Sequence, residues 1–176
     1  MTRRICVYTS TRADAGLLSH VMREIADDPE LTLLVMAGGT HFSAEYGETW
    51  REIAHPIDWS CPCVPEDDRP VSVAKASGLH LGDVAEGLEA LKPDILVVLG
   101  DRWEAHSAVT AATICRVPVG HVHGGEVTLG AIDNALRHSM TMMSTYHFVA
   151  APEYNERVRA MLLAASRTYG REPCAS

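Results

Sequence analysis

The sequence predicts an α/β protein with a doubly wound, Rossmann-like parallel sheet. Short apolar runs alternate with helical patterns along the chain. The run ILVVL at 95–99 is apolar throughout, which is typical of a strand covered on both faces. Polar segments, several of them rich in glycine, follow the apolar runs. Alternating strands and helices give parallel sheets, in which ligands bind beyond the carboxyl ends of the strands.

The first third of the chain is predicted to hold three strands and two helices. Residues 5–8 form a short apolar run typical of a buried strand. Apolar residues then recur at spacings of three and four across 15–26, which indicates a helix. A second strand over 31–37 ends in the glycine-bearing sequence AGGTH. A further helix is expected over 44–53 and a short third strand over 57–60.

The rest of the chain continues the alternation. The proline-rich sequence CPCVPEDDRP at 61–70 is predicted to be a loop, and a long helix follows over 71–91. The fourth strand is the apolar run at 95–99, and the alanine-rich stretch 103–115 predicts a helix. The remaining expected elements are a strand over 118–122, a helix over 132–143, a strand over 146–150 and a helix over 153–165.

Composition excludes several classes of protein. The chain has 176 residues, of which 47% are hydrophobic, so it is long enough to bury a core. Its net charge of −8 argues against a general affinity for nucleic acid or for anionic membranes. The five cysteines do not complete a zinc site, and no export signal is present, so reduced thiols and a cytoplasmic location are expected. No apolar run approaches transmembrane length.

Polar side chains follow four of the predicted strands. In a Rossmann-type strand order the first strand and 95–99 are neighbours, so these groups are expected to converge at one rim of the sheet. The six residues are Arg12, His41, Asp101, Arg102, His123 and Glu126.

Asp101 directly follows a buried strand. A carboxylate in that position is expected to be partly desolvated, which raises its pKa and suits it to proton transfer. An equally good interpretation is an N-cap for the following helix, and the two roles are compatible.

Arg12 and Arg102 each lie in a turn from a strand to a helix. Such turns bind anions, and a guanidinium adds a bidentate partner for phosphate. The alternative is that each arginine forms an ion pair at the protein surface. Neither a G-x-G-x-x-G after the first strand nor a Walker sequence occurs, so any nucleotide is expected to be held in another way.

His121 and His123 alternate along a predicted strand, so they are expected to share one face. Such a pair can ligate zinc, which keeps a metal-dependent hydrolase open as an alternative. The following Gly124 and Gly125 let a ligand approach the backbone, which favours a substrate loop without a metal.

Asp133 and Arg137 are four residues apart at the start of a predicted helix. They form either a helix-stabilising ion pair or an acid/base group beside a phosphate-binding arginine. The spacing does not decide between these two readings.

Several segments together resemble the hydrolysing UDP-N-acetylglucosamine 2-epimerases of sialic-acid-type and legionaminic-acid-type sugar synthesis. The resemblance runs from about residue 4 to residue 159 and includes the compound signatures GDR-x-E, HGGE-x-T and GAID-x-x-x-RH. The segments that carry it are TSTRADAGLL, GGTHFSAEYGET, VLGDRWEAHSA, PVGHVHGGEVTLGAIDNALRH and MTMMSTYHFVA.

This resemblance implies one half of a two-domain, GT-B-like architecture with the active site between the domains. It implies a reaction without metal or cofactor. A base removes the proton on C2 of the sugar while UDP leaves, and water then adds to the glycal with inversion at C2. The products are UDP and free N-acetylmannosamine or a related sugar.

The resemblance also implies roles for individual residues. Asp101 and Asp133 match family catalytic carboxylates, and His123 stands where family members have Glu or His. A histidine there points toward a bacterial branch that uses a UDP-diacetamido sugar. Glu126 matches the last residue of the HGGE signature. The residues expected to contact substrate or nucleotide are Arg12, His41, Arg102, Arg137 and His138.

The resemblance stops near residue 159, and family chains are about twice as long. We therefore expect a Rossmann-like domain over 1–160 and an atypical tail over 161–176, with the second domain absent. A cleft with one wall cannot exclude water, so weak or no activity is expected from this truncated chain alone. A complete version is expected to form a homo-oligomer. The other alternative is a non-catalytic fragment that dimerises or binds nucleotide-sugar weakly.

Overall fold

The computed structural model describes residues 2–128 and 132–169. Among these residues, six parallel strands form one sheet. The strands are β1 Arg3–Thr9, β2 Leu31–Gly38, β3 Trp59–Cys61, β4 Ile95–Leu99, β5 Val119–Val122 and β6 Tyr146–Phe148. Their order in the sheet is β3-β2-β1-β4-β5-β6. The helices are α1 Arg12–Asp27, α2 Pro70–Leu91, α3 Trp103–Ile114, α4 Asp133–Met143 and α5 Pro152–Tyr169.

The predicted doubly wound topology is confirmed. β1 pairs in parallel with both β2 and β4, so the chain reverses direction across the sheet between these two strands. Ligands of such sheets bind at this point, beyond the carboxyl ends of the strands. The strand β4 is covered on both faces, as its continuous apolar sequence predicts.

The core lies on the two faces of the sheet. One layer packs α2, α3 and α4 against the sheet through buried side chains such as Leu88, Ala108 and Met140. The other layer packs α1 through Leu18 and Met22 against the opposite face. The sheet is therefore packed on both faces and supports the loops at its carboxyl edge.

The helix expected over 44–53 is wrong. Residues 44–47 form a turn between two short 3-10 helices, Gly39–Phe42 and Thr49–Glu52, and only the second of these lies within the expected range. Gly47 and Glu48 both adopt left-handed backbone angles, with φ of 84° and 48°. Two consecutive left-handed residues interrupt the hydrogen-bond ladder, so a continuous helix cannot form.

The last helix crosses the domain boundary expected at 160, because α5 continues to Tyr169. The final part of the expected tail, residues 170–176, lies outside the described residues, as do residues 129–131 of the GAID signature. No helix in the described part of the chain combines the length and the apolar character needed to cross a membrane.

Candidate active site

The carboxyl ends of β4 and β5 and the start of α4 bring several charged side chains together. Asp101 lies in the turn after β4, where four charged residues act on its carboxyl group. Arg137 and Asp133 come from α4, Glu126 from the loop after β5, and Arg102 is the next residue in the chain. Of the six residues predicted to converge, Arg102 and Glu126 therefore lie near Asp101, and Asp133 and Arg137 of α4 join them there.

Asp101 and Arg137 form an ion pair between Oδ2 and Nη2. The Arg137 side chain is only 7% exposed, and its Nε and Nη1 are buried without a hydrogen-bond partner among the described residues. Burial raises the pKa of Asp101; Arg137 opposes this effect, and the negative charge of Asp133 adds to it. The site thus combines a carboxyl group of raised pKa with a guanidinium that has unused donors.

Arg137 does not pair with Asp133, although the two are four residues apart on α4. The helix-stabilising pair considered from the spacing is therefore not formed. Asp133 lies at the start of α4 and acts on Asp101 through space. His138 is half-buried; its Nδ1 has no partner in the described part of the chain, and burial lowers its pKa.

Arg102 donates hydrogen bonds to the buried carboxylate of Glu104, a residue that the sequence analysis did not single out. Its Nε and Nη2 donate to Glu104 at 3.2 and 2.9 Å, and the Glu104 side chain is 1% exposed. Gly39 packs on the same carboxylate, because an added Cβ there would lie 3.1 Å from Glu104 Cγ. Glu104 is the glutamate of the GDR-x-E signature, and that match is the feature of the sequence that could have identified it. Glu104 fixes the orientation of Arg102 beside Asp101.

The expectation that His121 and His123 share a strand face is wrong. β5 ends at Val122, and His123 has a left-handed backbone with φ of 63°. His121 is fully buried; its Nε2 donates to the Gly100 carbonyl at 2.7 Å, and burial lowers its pKa to about 4. No group of three His, Cys, Asp or Glu side chains within 2–128 and 132–169 is arranged to hold a metal ion.

His123 instead contacts Glu126, with 2.6 Å between Nδ1 and Oε1. The loop between them is held on both sides. Gly124 packs against His121, where an added Cβ would lie 3.1 Å from Nδ1. The Gly125 carbonyl accepts a hydrogen bond from Arg157 of α5.

Two expected ligand contacts have other partners. Arg12 pairs with Glu52, with 2.8 Å between Nε and Oε2, and it stays 74% exposed. It is not among the described charges that act on Asp101. His41 is fully buried, and its two ring nitrogens contact the hydroxyls of Thr9 at 3.0 Å and Thr49 at 2.9 Å. Both ring nitrogens of His41 are therefore engaged within the fold, where they connect the loop after β2 to β1.

Comparison with known families now identifies the chain. The family model described as UDP-N-acetylglucosamine 2-epimerase matches residues 23–169, which is most of the present chain. The chain belongs to this family. The family resemblance drawn from the sequence signatures is confirmed.

Two curated relatives of the family have similar sequences. The GDP/UDP-N,N'-diacetylbacillosamine 2-epimerase (hydrolysing) of Campylobacter jejuni is 39% identical over 89% of this chain and 41% of its own length. The UDP-N,N'-diacetylbacillosamine 2-epimerase (hydrolysing) of Legionella pneumophila is 37% identical over 92% of this chain and 43% of its own length. The chain thus spans about two fifths of the curated relatives it matches.

A solved structure of the family has the same fold. The UDP-GlcNAc 2-epimerase of Neisseria meningitidis, bound to UDP-GlcNAc, aligns with a TM-score of 0.78 at 19% identity. The alignment covers 89% of this chain and 42% of that one. This Rossmann-like chain therefore corresponds to about two fifths of a GT-B-like epimerase.

Proposed function

We propose that this chain supplies the catalytic residues of a hydrolysing 2-epimerase. The reaction consumes a UDP-linked 2-acetamido sugar and water, and it yields UDP and the free sugar with inverted configuration at C2. Family membership and the names of the two curated relatives support the reaction class. The names of these relatives favour a UDP-diacetamido sugar over UDP-N-acetylglucosamine as the substrate.

The pairing of Asp101 with Arg137 carries the proposal. Within residues 2–128 and 132–169, two donor nitrogens of the buried Arg137 guanidinium have no acceptor, and desolvated N–H groups without acceptors are energetically unfavourable. An anionic or developing negative oxygen beside it would supply those acceptors. The departing diphosphate of a UDP-sugar is such a group. Asp101, partly buried and of raised pKa, suits proton transfer in the same place.

The other residues of the rim fit the two stages of this reaction. Elimination breaks the C2–H bond and the bond from C1 to the UDP oxygen, so it needs a base at C2 and cationic support for UDP. Hydration then adds a proton to C2 and hydroxide to C1. Asp101, His123, Glu126 and Asp133 are the proton-handling groups, with Arg102, Arg137 and His138 as contacts for the substrate. Arg12 and His41 are not assigned such contacts, because Arg12 is not among the described charges that act on Asp101 and both ring nitrogens of His41 are hydrogen-bonded within the fold.

Heavy water tests the reaction class. The 176-residue chain and a chimera that joins it to the unmatched part of the Campylobacter jejuni relative are each incubated with UDP-N-acetylglucosamine and its diacetamido analogue. We expect UDP release and free sugar carrying deuterium at C2, faster with the diacetamido substrate and weak or absent with the 176 residues alone.

Two variants of the chimera complete the test. Asp101→Asn is expected to reduce turnover by about 10²–10⁴-fold, because a proton-transfer group is lost. Glu89→Gln, on an exposed part of α2, is the matched control and should leave turnover unchanged. Free sugar without deuterium at C2 would point to simple hydrolysis and would overturn the epimerase assignment.

A further inference from the structure

We propose that Glu126 is a positioning residue that fixes the tautomer of His123. Glu126 accepts the Nδ1 proton of His123, so the neutral ring presents a bare Nε2 that can take a proton. The catalytic use of that nitrogen rests on the proposed function, whereas the tautomer itself follows from the geometry alone.

The contact between the two side chains sets the protonation pattern. Nδ1 of His123 lies 2.6 Å from Oε1 of Glu126, and the side chains are 39% and 25% exposed. An ionised carboxylate has no proton to donate, so the proton between these atoms belongs to Nδ1. In a neutral imidazole the second nitrogen is then unprotonated. A carboxylate in this place also stabilises the imidazolium that forms when Nε2 takes a proton.

The backbone around His123 is built to hold this arrangement. His123 is one of four described non-glycine residues with a left-handed backbone, a conformation that costs free energy for a side chain with a Cβ. Its N–H donates to the Phe148 carbonyl at 2.9 Å, which ties the turn to β6. Gly125, two residues after His123, packs against α5. A Cβ added to Gly125 would lie 2.7 Å from the backbone carbonyl oxygen of Tyr154. These contacts hold the backbone on both sides of His123, so they fix the direction in which its side chain leaves the loop.

The neighbouring histidine has the opposite tautomer. Nε2 of His121 contacts the Gly100 carbonyl, which can only accept a hydrogen bond, so Nε2 carries the proton. His121 is fully buried, whereas His123 is partly exposed at the rim. Two imidazoles separated by one residue thus present different nitrogens, and His121 serves as an internal reference in the same molecule.

Nitrogen NMR of the ¹⁵N-histidine-labelled 176-residue chain tests the proposal directly. Spectra are recorded at rising pH above the usual imidazole pKa until the ring signals no longer change, so that the rings are neutral. His123→Gln and His121→Gln assign the two sets of signals. We expect a protonated Nδ1 and a bare Nε2 for His123, with the reverse pattern for His121. A His123 ring that carries its proton on Nε2 would overturn the proposal, and this result needs no variant of Glu126.

Variants of Glu126 separate positioning from a general structural role. Glu126→Leu removes the acceptor and should shift His123 away from the Nδ1–H form, while Glu126→Gln keeps a carbonyl oxygen and should largely restore it. The His121 signals should stay unchanged in both. Glu89→Gln is the control for loss of an exposed carboxylate. An unaltered His123 tautomer in a folded Glu126→Leu chain would contradict the positioning role.

Turnover of the chimera adds an independent readout. Glu126→Leu is expected to lower kcat by roughly 10–100-fold with little change in KM, and Glu126→Gln to recover part of the loss. An inactive wild-type chimera would count against the proposed function and leave the tautomer result standing. A protonated Nε2 on His123 would overturn the positioning role even in an active enzyme.

Discussion

Arg137 and Asp101 form an ion pair that joins α4 to the end of β4, with 7% and 19% of their side chains exposed. The two residues are 36 positions apart in the sequence. The pair holds the start of α4 against the rim of the sheet, where Asp133 and Glu126 also act on Asp101. Because both groups are largely removed from water, either one left alone would be a poorly solvated charge.

Removing one partner of this pair should destabilise the fold. Asp101→Asn leaves the Arg137 guanidinium without its counter-charge, and we expect the free energy of unfolding to fall by about 3 kcal/mol. Arg137→Met should have a similar effect through Asp101. The double variant should lose less than the sum of the two, because no uncompensated charge remains. Urea denaturation of the 176-residue chain at neutral pH measures all three.

An exposed arginine provides the control for these variants. Arg23 is 57% exposed and contacts Glu24 at 3.5 Å, so Arg23→Met should change the free energy of unfolding by less than about 0.5 kcal/mol. Strictly additive losses in the double variant of Asp101 and Arg137 would show that the pair is not coupled.

The pKa of Asp101 should respond to its charged neighbours with opposite signs. Burial raises this pKa, Arg137 lowers it and Asp133 raises it. Asp133→Asn should therefore lower the pKa of Asp101, and Arg137→Met should raise it further. Carboxyl ¹³C NMR titration of the chain follows the Asp101 signal. Asp68→Asn, in the exposed loop before α2, should leave that signal's titration unchanged; an Asp133→Asn variant that behaves like it would rule out the proposed proximity.

Much of the fold was predictable because each strand carries its own apolar signal. The run at 95–99 and the helical spacing before β2 depend only on neighbouring residues. A Rossmann-type strand order, which the structure has, places Asp101 and Glu126 at the same edge of the sheet. The general location of the site could therefore be predicted without knowing any side-chain contact.

Side-chain partners were less predictable because they depend on turns and on distant residues. The left-handed turn at His123 breaks the alternation that would have placed it beside His121. The left-handed pair at Gly47 and Glu48 similarly breaks the expected helix. Arg137 meets Asp101, not its sequence neighbour Asp133, because the tertiary contact across the rim replaces the local one. Local periodicity contains no information about such contacts.

Gly125 is required for the loop that carries His123. Its φ of 78° is left-handed, and a Cβ would lie 2.7 Å from the Tyr154 carbonyl oxygen and 2.8 Å from Val158 Cγ2. Gly125→Ala should therefore cost at least about 1 kcal/mol for the backbone alone, with more from the displacement of α5. Thermal or urea unfolding measures the loss, and nitrogen NMR should show a disturbed His123 ring.

Gly16 offers a matched control for this substitution. It lies in α1, and a Cβ there would meet nothing within 4 Å. Gly16→Ala should raise the free energy of unfolding by about 0.5–1 kcal/mol, because alanine favours the helix. Equal effects at the two glycines would mean that the close contact of Gly125 with α5 is not a real constraint.

Two buried histidines should make the fold sensitive to acid. Burial lowers the pKa of both His80 and His121 from 6.5 to about 4. Below pH 6.5 the unfolded chain binds protons that the folded chain excludes, so stability is lost as the pH falls toward 4. Each fully buried histidine contributes about 3 kcal/mol to this loss. Asp101, whose pKa is raised, acts in the opposite direction, because the folded chain takes up its proton more readily than the unfolded chain.

Urea denaturation across this pH range measures the effect as a slope. His121→Gln cannot take up the proton, so its free energy of unfolding should fall less steeply with pH than that of the wild type, whatever its starting value. His20→Gln removes an exposed histidine of α1 and should keep the wild-type slope. If His121→Gln also kept that slope, His121 would not be the neutral, buried imidazole that donates to Gly100, and its use as the reference tautomer for His123 would fail with it.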